Sequence, residues 1–98
     1  MDIDLYRTFL AIADSRSFTA AARQVGRTQS AMSQQVRRLE DSLGHPLFEH
    51  GPGMVNLTEY GKTLISYART ITETHQAAVS VFRREEFRGV AVMGVADA

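Results

Sequence analysis

Within the stretch RTQSAMSQQVRRLE (27–40), Gln29, Ser30, Ser33, Gln34, Arg37 and Arg38 are among the residues with hydrogen-bonding or positively charged side chains. A carboxamide offers one acceptor and two donors in a plane, a hydroxyl offers both functions, and a guanidinium offers a rigid fork of donors that suits anionic oxygens. No acid interrupts the stretch until Glu40. Met32, Val36, Leu39 and Leu43 recur at spacings of four, three and four, which makes a buried stripe on a helix. At about 100° per residue, Ser30, Ser33, Gln34, Arg37 and Arg38 fall on the opposite side, with Gln29 at its flank. Thr28 is a suitable N-cap. Such a helix is built to touch something polar or anionic with one face while the other holds a core.

The charge distribution supports that reading. The chain has 98 residues and a formal net charge of zero, so bulk charge names no partner. From Ser15 to Leu39, however, there are five arginines (Arg16, Arg23, Arg27, Arg37 and Arg38) and no acid. A local positive block in a neutral chain is the footprint of a surface facing an anion, or else an arginine-rich solvated face. The three histidines lack metal-ligand spacing, and no cysteine is available to join them. There is no nucleophile–base arrangement and no glycine-rich phosphate loop, so neither catalytic nor metal-binding residues are assigned. The absence of cysteine fits a cytoplasmic protein. No apolar run reaches the ~18 residues of a membrane span.

Several elements must hold the polar helix in place. The stripe Ile3, Leu5, Phe9, Leu10, Ile12 and Ala13 predicts a first helix over Asp4 to Asp14. Ser17 can cap a second helix, Phe18 to Val25, whose AAA centre permits close approach by a neighbour, and Gly26 ends it. The next helix, Gln29 to Leu43, ends at Gly44. Two short helices joined around a glycine have the spacing of a helix-turn-helix. Pro46 blocks continuation, and Leu47–Glu49 and Met54–Leu57 flank the turn HGPG, predicting a two-stranded hairpin or wing. Leu5, Phe9, Phe18, Val25, Leu43, Leu47 and Phe48 are expected to join Met32, Val36 and Leu39 in the core.

Thr58 caps a long helix predicted over Glu59 to Phe87. Tyr60, Leu64, Tyr67, Ile71, Thr74, Ala78 and Val81 recur near the 3.5-residue spacing of a helix–helix seam. So long a helix should pack on a copy of itself; the alternative is that it folds back on its own domain. The final GVAVMGVADA has the character of the first strand of a further domain.

The order of these motifs resembles the N-terminal DNA-binding region of LysR-type transcriptional regulators. The likeness runs from residue 2 to about residue 90, through SFTAAARQVGRTQSAMSQQVRRLEDSLGHPLFEH and LTEYGKTLISYART. It implies a mainly α fold: a winged helix-turn-helix over residues 1–58, a dimerisation linker helix over 59–88, and the start of a C-terminal effector-binding domain at 89–98. It further implies a bacterial, cytoplasmic, double-stranded-DNA-binding protein that is a homodimer, or a tetramer at full length. No cofactor is expected in this stretch, and a small-molecule effector would belong to the C-terminal domain.

On this resemblance the third helix enters the major groove, with Gln29, Ser30, Ser33 and Gln34 toward bases. Ser17, Thr19, Arg27, Thr28, Arg37 and Arg38 would position the phosphate backbone, and Arg16 flanks the same turn. The wing, at His50, Gly51 and Gly53, would lie at the minor groove. Tyr60, Leu64, Tyr67, Ile71, Ala78 and Val81 would form the dimer seam. Three residues depart from the common family pattern: Ser30 where proline is frequent, and Gln34 and His50 where arginine is frequent. These changes predict weaker binding with an A·T-leaning preference. The alternative is a winged-helix module that binds a protein partner without DNA.

Overall fold

A computed structural model describes residues 2–49, 51 and 54–84. They form α1 (Ile3–Ser15), α2 (Phe18–Val25), α3 (Gln29–Leu43), β1 (Phe48–Glu49), β2 (Asn56–Leu57) and α4 (Glu59–Arg83). The fold is a mainly helical winged helix-turn-helix with a long following helix. The predicted tail at 89–98 and the wing residues His50 and Gly53 lie outside the described residues.

Each helix starts where a short polar side chain can take a free backbone N–H. Asp2 accepts from Asp4, Ser17 from Ala20, Thr28 from Ala31 and Thr58 from Gly61, at 2.9–3.1 Å. A cap of this kind contributes about 0.5–2 kcal/mol. With Asp2 as its cap, α1 starts at Ile3, one residue before the predicted Asp4, and continues through Ser15. Gly26 and Gly44 end α2 and α3 at φ of 69° and 79°. The left-handed conformation suits glycine because it has no Cβ to clash. Arg16 ends α1 in the same conformation, at φ 58°, without that advantage.

The core lies where α1, α2, α3 and the root of the wing meet. Phe9, Ile12, Met32, Leu39 and Leu47 are fully buried, and Ala21 and Ala22 bring α2 close. Phe48 projects from β1 between Phe9 and Phe18, with ring centroids 5.4 and 6.0 Å away. Thr8 is a buried polar side chain whose hydroxyl donates to the side-chain amide oxygen (Oε1) of Gln35 on α3. That bond satisfies a group which would otherwise cost stability by losing water.

Two expected core residues are exposed. Val25 is the last residue of α2, and the chain turns away at Gly26 before anything covers it. Leu43 ends α3 and stands beside Leu47, Tyr60, Leu64 and Tyr67 in a shallow apolar hollow open to solvent. Phe18 is only partly buried.

The wing strands are shorter than the sequence pattern suggests. The antiparallel pairs are Phe48 with Leu57 and Glu49 with Asn56. Leu47, Met54 and Val55 fall outside the ladder: the Leu47 carbonyl accepts from Thr58 (3.0 Å), and the Val55 N–H donates to the Arg16 carbonyl (3.1 Å).

The first half of α4 packs back on its own domain: Ala68 is buried, Leu64 and Ile65 are partly buried against the core, and buried Gly61 sits against the Leu47 backbone. Arg69 bonds Asp14 of α1 at 2.9 Å. Leu64, expected in a seam between copies, is partly buried against the core of its own domain. Tyr60, Tyr67, Ile71, Ala78 and Val81 remain exposed on α4. The helix ends at Arg83, short of Phe87, because Arg84 is extended and its N–H bonds Val81 three residues back. No helix among the described residues is long and apolar enough to cross a membrane.

Candidate nucleic-acid interface

With Met32, Val36 and Leu39 fixed in the core, α3 turns its polar face outward. Gln29, Ser30, Gln34, Arg37 and Arg38 are exposed, and Ser33 is partly buried. The start of α3 is also exposed at Thr28, so the positive end of the helix dipole is open to an anion. Gln29 is not freely swinging: the Thr19 hydroxyl of α2 donates to its side-chain oxygen at 3.2 Å. A carboxamide oxygen has a second lone pair, so this contact orients Gln29 and leaves bonding capacity for a base edge.

A groove separates α3 from the wing. Ser17, Thr19, Gln29, Ser33 and Arg37 line one side, and Gly51 and Met54 the other. Gly51 is exposed. Ser17 and Thr28 spend their side-chain oxygens on caps, so their remaining capacity toward a phosphate is as hydroxyl donors.

The five arginines of the positive block separate into two groups. Arg23, Arg37 and Arg38 are exposed and form no ion pair among the described residues. Arg27 lies 3.6 Å from Asp4, which also pairs with Arg7 at 3.2 Å. Arg16 donates through Nε to the Val55 carbonyl at 3.3 Å and through its terminal nitrogen to the Asn56 side-chain oxygen. Neither Arg16 nor Arg27 is the unengaged cation that the sequence pattern suggests.

Glu40 is a site residue that sequence reasoning passes over. Its carboxylate turns away from the polar face and accepts the Leu47 N–H at 2.7 Å, with Phe48 N–H at 3.5 Å. It thereby ties the start of the wing to α3, and with exposed Glu49 it lines the groove between them. Its place just off the apolar stripe gives no hint of a partner seven residues ahead. His45 stacks on Tyr60, with centroids 3.9 Å apart and planes 9° from parallel, joining the turn after α3 to the start of α4.

Residues 3–62 match the model of the bacterial regulatory helix-turn-helix proteins, lysR family. The chain belongs to this family. Among LysR relatives, it is 43% identical over 98 residues to the HTH-type transcriptional regulator PecT of Dickeya dadantii, covering 99% of this chain and 31% of that protein. It is 45% identical over 80 residues to the regulator DgdR of Burkholderia cepacia, covering 82% of this chain and 27% of the relative. The chain thus spans about a third of the length of the curated relatives it matches. Among solved LysR structures, the BenM DNA-binding domain in complex with catB site 1 DNA superposes with a TM-score of 0.81 at 32% identity, covering 86% of this chain and 94% of that one. The CbnR DNA-binding domain in its DNA complex gives a TM-score of 0.81 at 26% identity, covering 93% and 99%.

Proposed function

We propose that this LysR-family chain is a sequence-specific double-stranded-DNA-binding domain of a transcriptional regulator and works as a homodimer. The observation that carries the reading is the outward face of α3: Gln29, Ser30, Gln34, Arg37 and Arg38 are exposed on a helix whose other face is locked into the core. The likeness to BenM and CbnR domains solved with DNA supports it. In this reading α3 lies in the major groove with its N-terminal residues at base edges, and the wing approaches the minor groove. Gln29 and Gln34 suit adenine, and Ser30 and Ser33 suit several base edges. Arg37 and Arg38 meet phosphates. Tyr60, Tyr67, Ile71, Ala78 and Val81 on α4 meet the second copy, so two α3 helices related by a two-fold axis read an interrupted palindrome. The domain binds rather than catalyses, and its DNA target puts it in the cytoplasm. A small-molecule effector would act on the longer protein outside this domain.

Retardation of duplex DNA as a function of salt tests the reading. Arg37 and Arg38 of α3, with exposed Arg23 of α2, neutralise two to three phosphates in each protomer. The log–log slope is then roughly −2 to −3 per protomer, or about −4 to −6 for a dimer. Binding that is absent, or indifferent to salt, would point to a protein-interaction module instead.

A further inference from the structure

We propose that Arg16 is a positioning residue that locks the wing to the helix-turn-helix, setting where the wing meets DNA without touching DNA itself. The inference rests on the DNA-binding reading above and adds a residue that acts through another element.

Among the described residues, Arg16 is the one non-glycine at positive φ. Glycine would take that conformation without strain, so the backbone alone gives no reason for an arginine there. The side chain supplies one. Its Nε bonds the Val55 carbonyl at 3.3 Å and its terminal nitrogen bonds the Asn56 side chain. From the opposite direction, the Val55 N–H bonds the Arg16 carbonyl at 3.1 Å. Three hydrogen bonds thus join one residue to two consecutive residues at the entrance of β2. Asn56 is also the ladder partner of Glu49 in β1.

The wing is therefore held at both strands, from a helix on one side and from the α1–α2 turn on the other. Glu40 of α3 holds the start of β1, and Arg16, between α1 and α2, holds β2. Ser17, next to Arg16, caps α2. A shift of the wing would thus pull on the same turn that starts the helix-turn-helix. A two-residue ladder is too short to fix its own direction. Holding it in advance removes part of the ordering cost that binding would otherwise incur.

A phosphate contact by Arg16 is the competing role, and two substitutions separate them. Arg16→Gly keeps the left-handed turn and removes the fork; Arg16→Lys keeps the charge and a long stem but cannot reproduce the fork. The probe is a duplex selected by the wild-type chain from a random-sequence library. For Arg16→Gly we expect an unchanged melting temperature, and amide exchange at Val55 and Asn56 in the free protein faster by about tenfold. DNA affinity should fall about three- to tenfold as preorganisation is lost. Minor-groove hydroxyl-radical protection should weaken while major-groove guanine protection persists, with the salt slope unchanged. Arg16→Lys should behave like Arg16→Gly. A salt slope shallower by about one in Arg16→Gly, restored by Lys, would overturn the proposal and make Arg16 a phosphate ligand. Wild-type exchange rates and protection in Arg16→Gly would overturn it too. If the wild-type chain selected no DNA, the DNA-binding reading would fall and the wing's DNA role with it; the exchange result, read without DNA, would show that the lock itself had not failed.

Discussion

Replacing Gly61 by alanine sets two opposed effects against each other on α4. Alanine is the better helix former by about 1 kcal/mol, so in an exposed helix the change would stabilise. Gly61 is buried, however, and a Cβ built there lies 2.2 Å from the Leu47 carbonyl oxygen and 2.8 Å from Leu57 Cδ2. Carbon and carbonyl oxygen normally come no closer than about 3.3 Å, so α4 and the Leu47 backbone must part by about 1 Å. The obstacle is main chain and cannot rotate aside. That same carbonyl accepts the Thr58 N–H at 3.0 Å, immediately before α4, so the displacement also weakens a bond. Overpacking of this kind costs about 1–3 kcal/mol and the weakened bond up to about 1, against the gain of about 1. The net expectation is a loss of about 1.5 kcal/mol, a fall in melting temperature of about 6–12 °C for a domain of this size. Urea unfolding at fixed protein concentration measures it, since dimerisation would add a concentration-dependent term. Ser66→Ala, at an exposed position of the same helix, is the control and should gain a few tenths of a kcal/mol. A Gly61→Ala chain as stable as wild type would refute the claim that α4 docks against Leu47 by backbone approach.

Other substitutions probe the wing anchor, the recognition face and the long helix. Glu40→Ala leaves the Leu47 N–H without its acceptor and should cost about 1–3 kcal/mol in urea unfolding; stability equal to wild type would mean that water replaces the carboxylate at no cost. Gln29→Ala should lose about 1–3 kcal/mol of discrimination at one base position, seen by comparing binding to single-base variants of a selected site; a uniform loss across sequences would make it a positioning contact only. Tyr67→Glu puts a charge in the exposed face of α4 and should give a monomer by sedimentation at concentrations where the wild-type chain is dimeric, with helical content retained; an unaffected dimer would exclude Tyr67 from the seam.

What could be read from the sequence was chiefly local. Ser17, Thr28 and Thr58 announce helix starts because a cap acts within three residues, and Gly26 and Gly44 announce ends because a positive φ selects glycine. The period of Met32, Val36 and Leu39 identifies the buried side of α3 and hence its polar face. What could not be read depends on partners distant along the chain. Arg16 meets Val55 and Asn56 some forty positions away, and no periodicity encodes that meeting. Val25 and Leu43 satisfy the apolar pattern, but a pattern does not say whether another element covers the last turn. The close approach at Gly61 was visible only as part of the LTEYG motif, with no sign that its missing side chain makes room for a backbone.

The arginines show how a chain of zero net charge can still present a cationic face. Counting charges along the sequence gives five consecutive arginines without an acid, but contacts in space redistribute them. Asp4, far from the block in sequence, lies beside Arg27, and Arg16 spends its donors on neutral oxygens of the wing. The acid that closes the block, Glu40, is turned into the wing root instead of facing outward. The positive surface is therefore smaller than the sequence count, and exposed Arg37 and Arg38 share the outward face of α3 with Gln34. For a binding domain this arrangement matters more than the total. Cations spread over the whole molecule would raise affinity for any polyanion in any orientation, whereas cations on the face proposed to read bases would favour the one orientation in which those contacts can form.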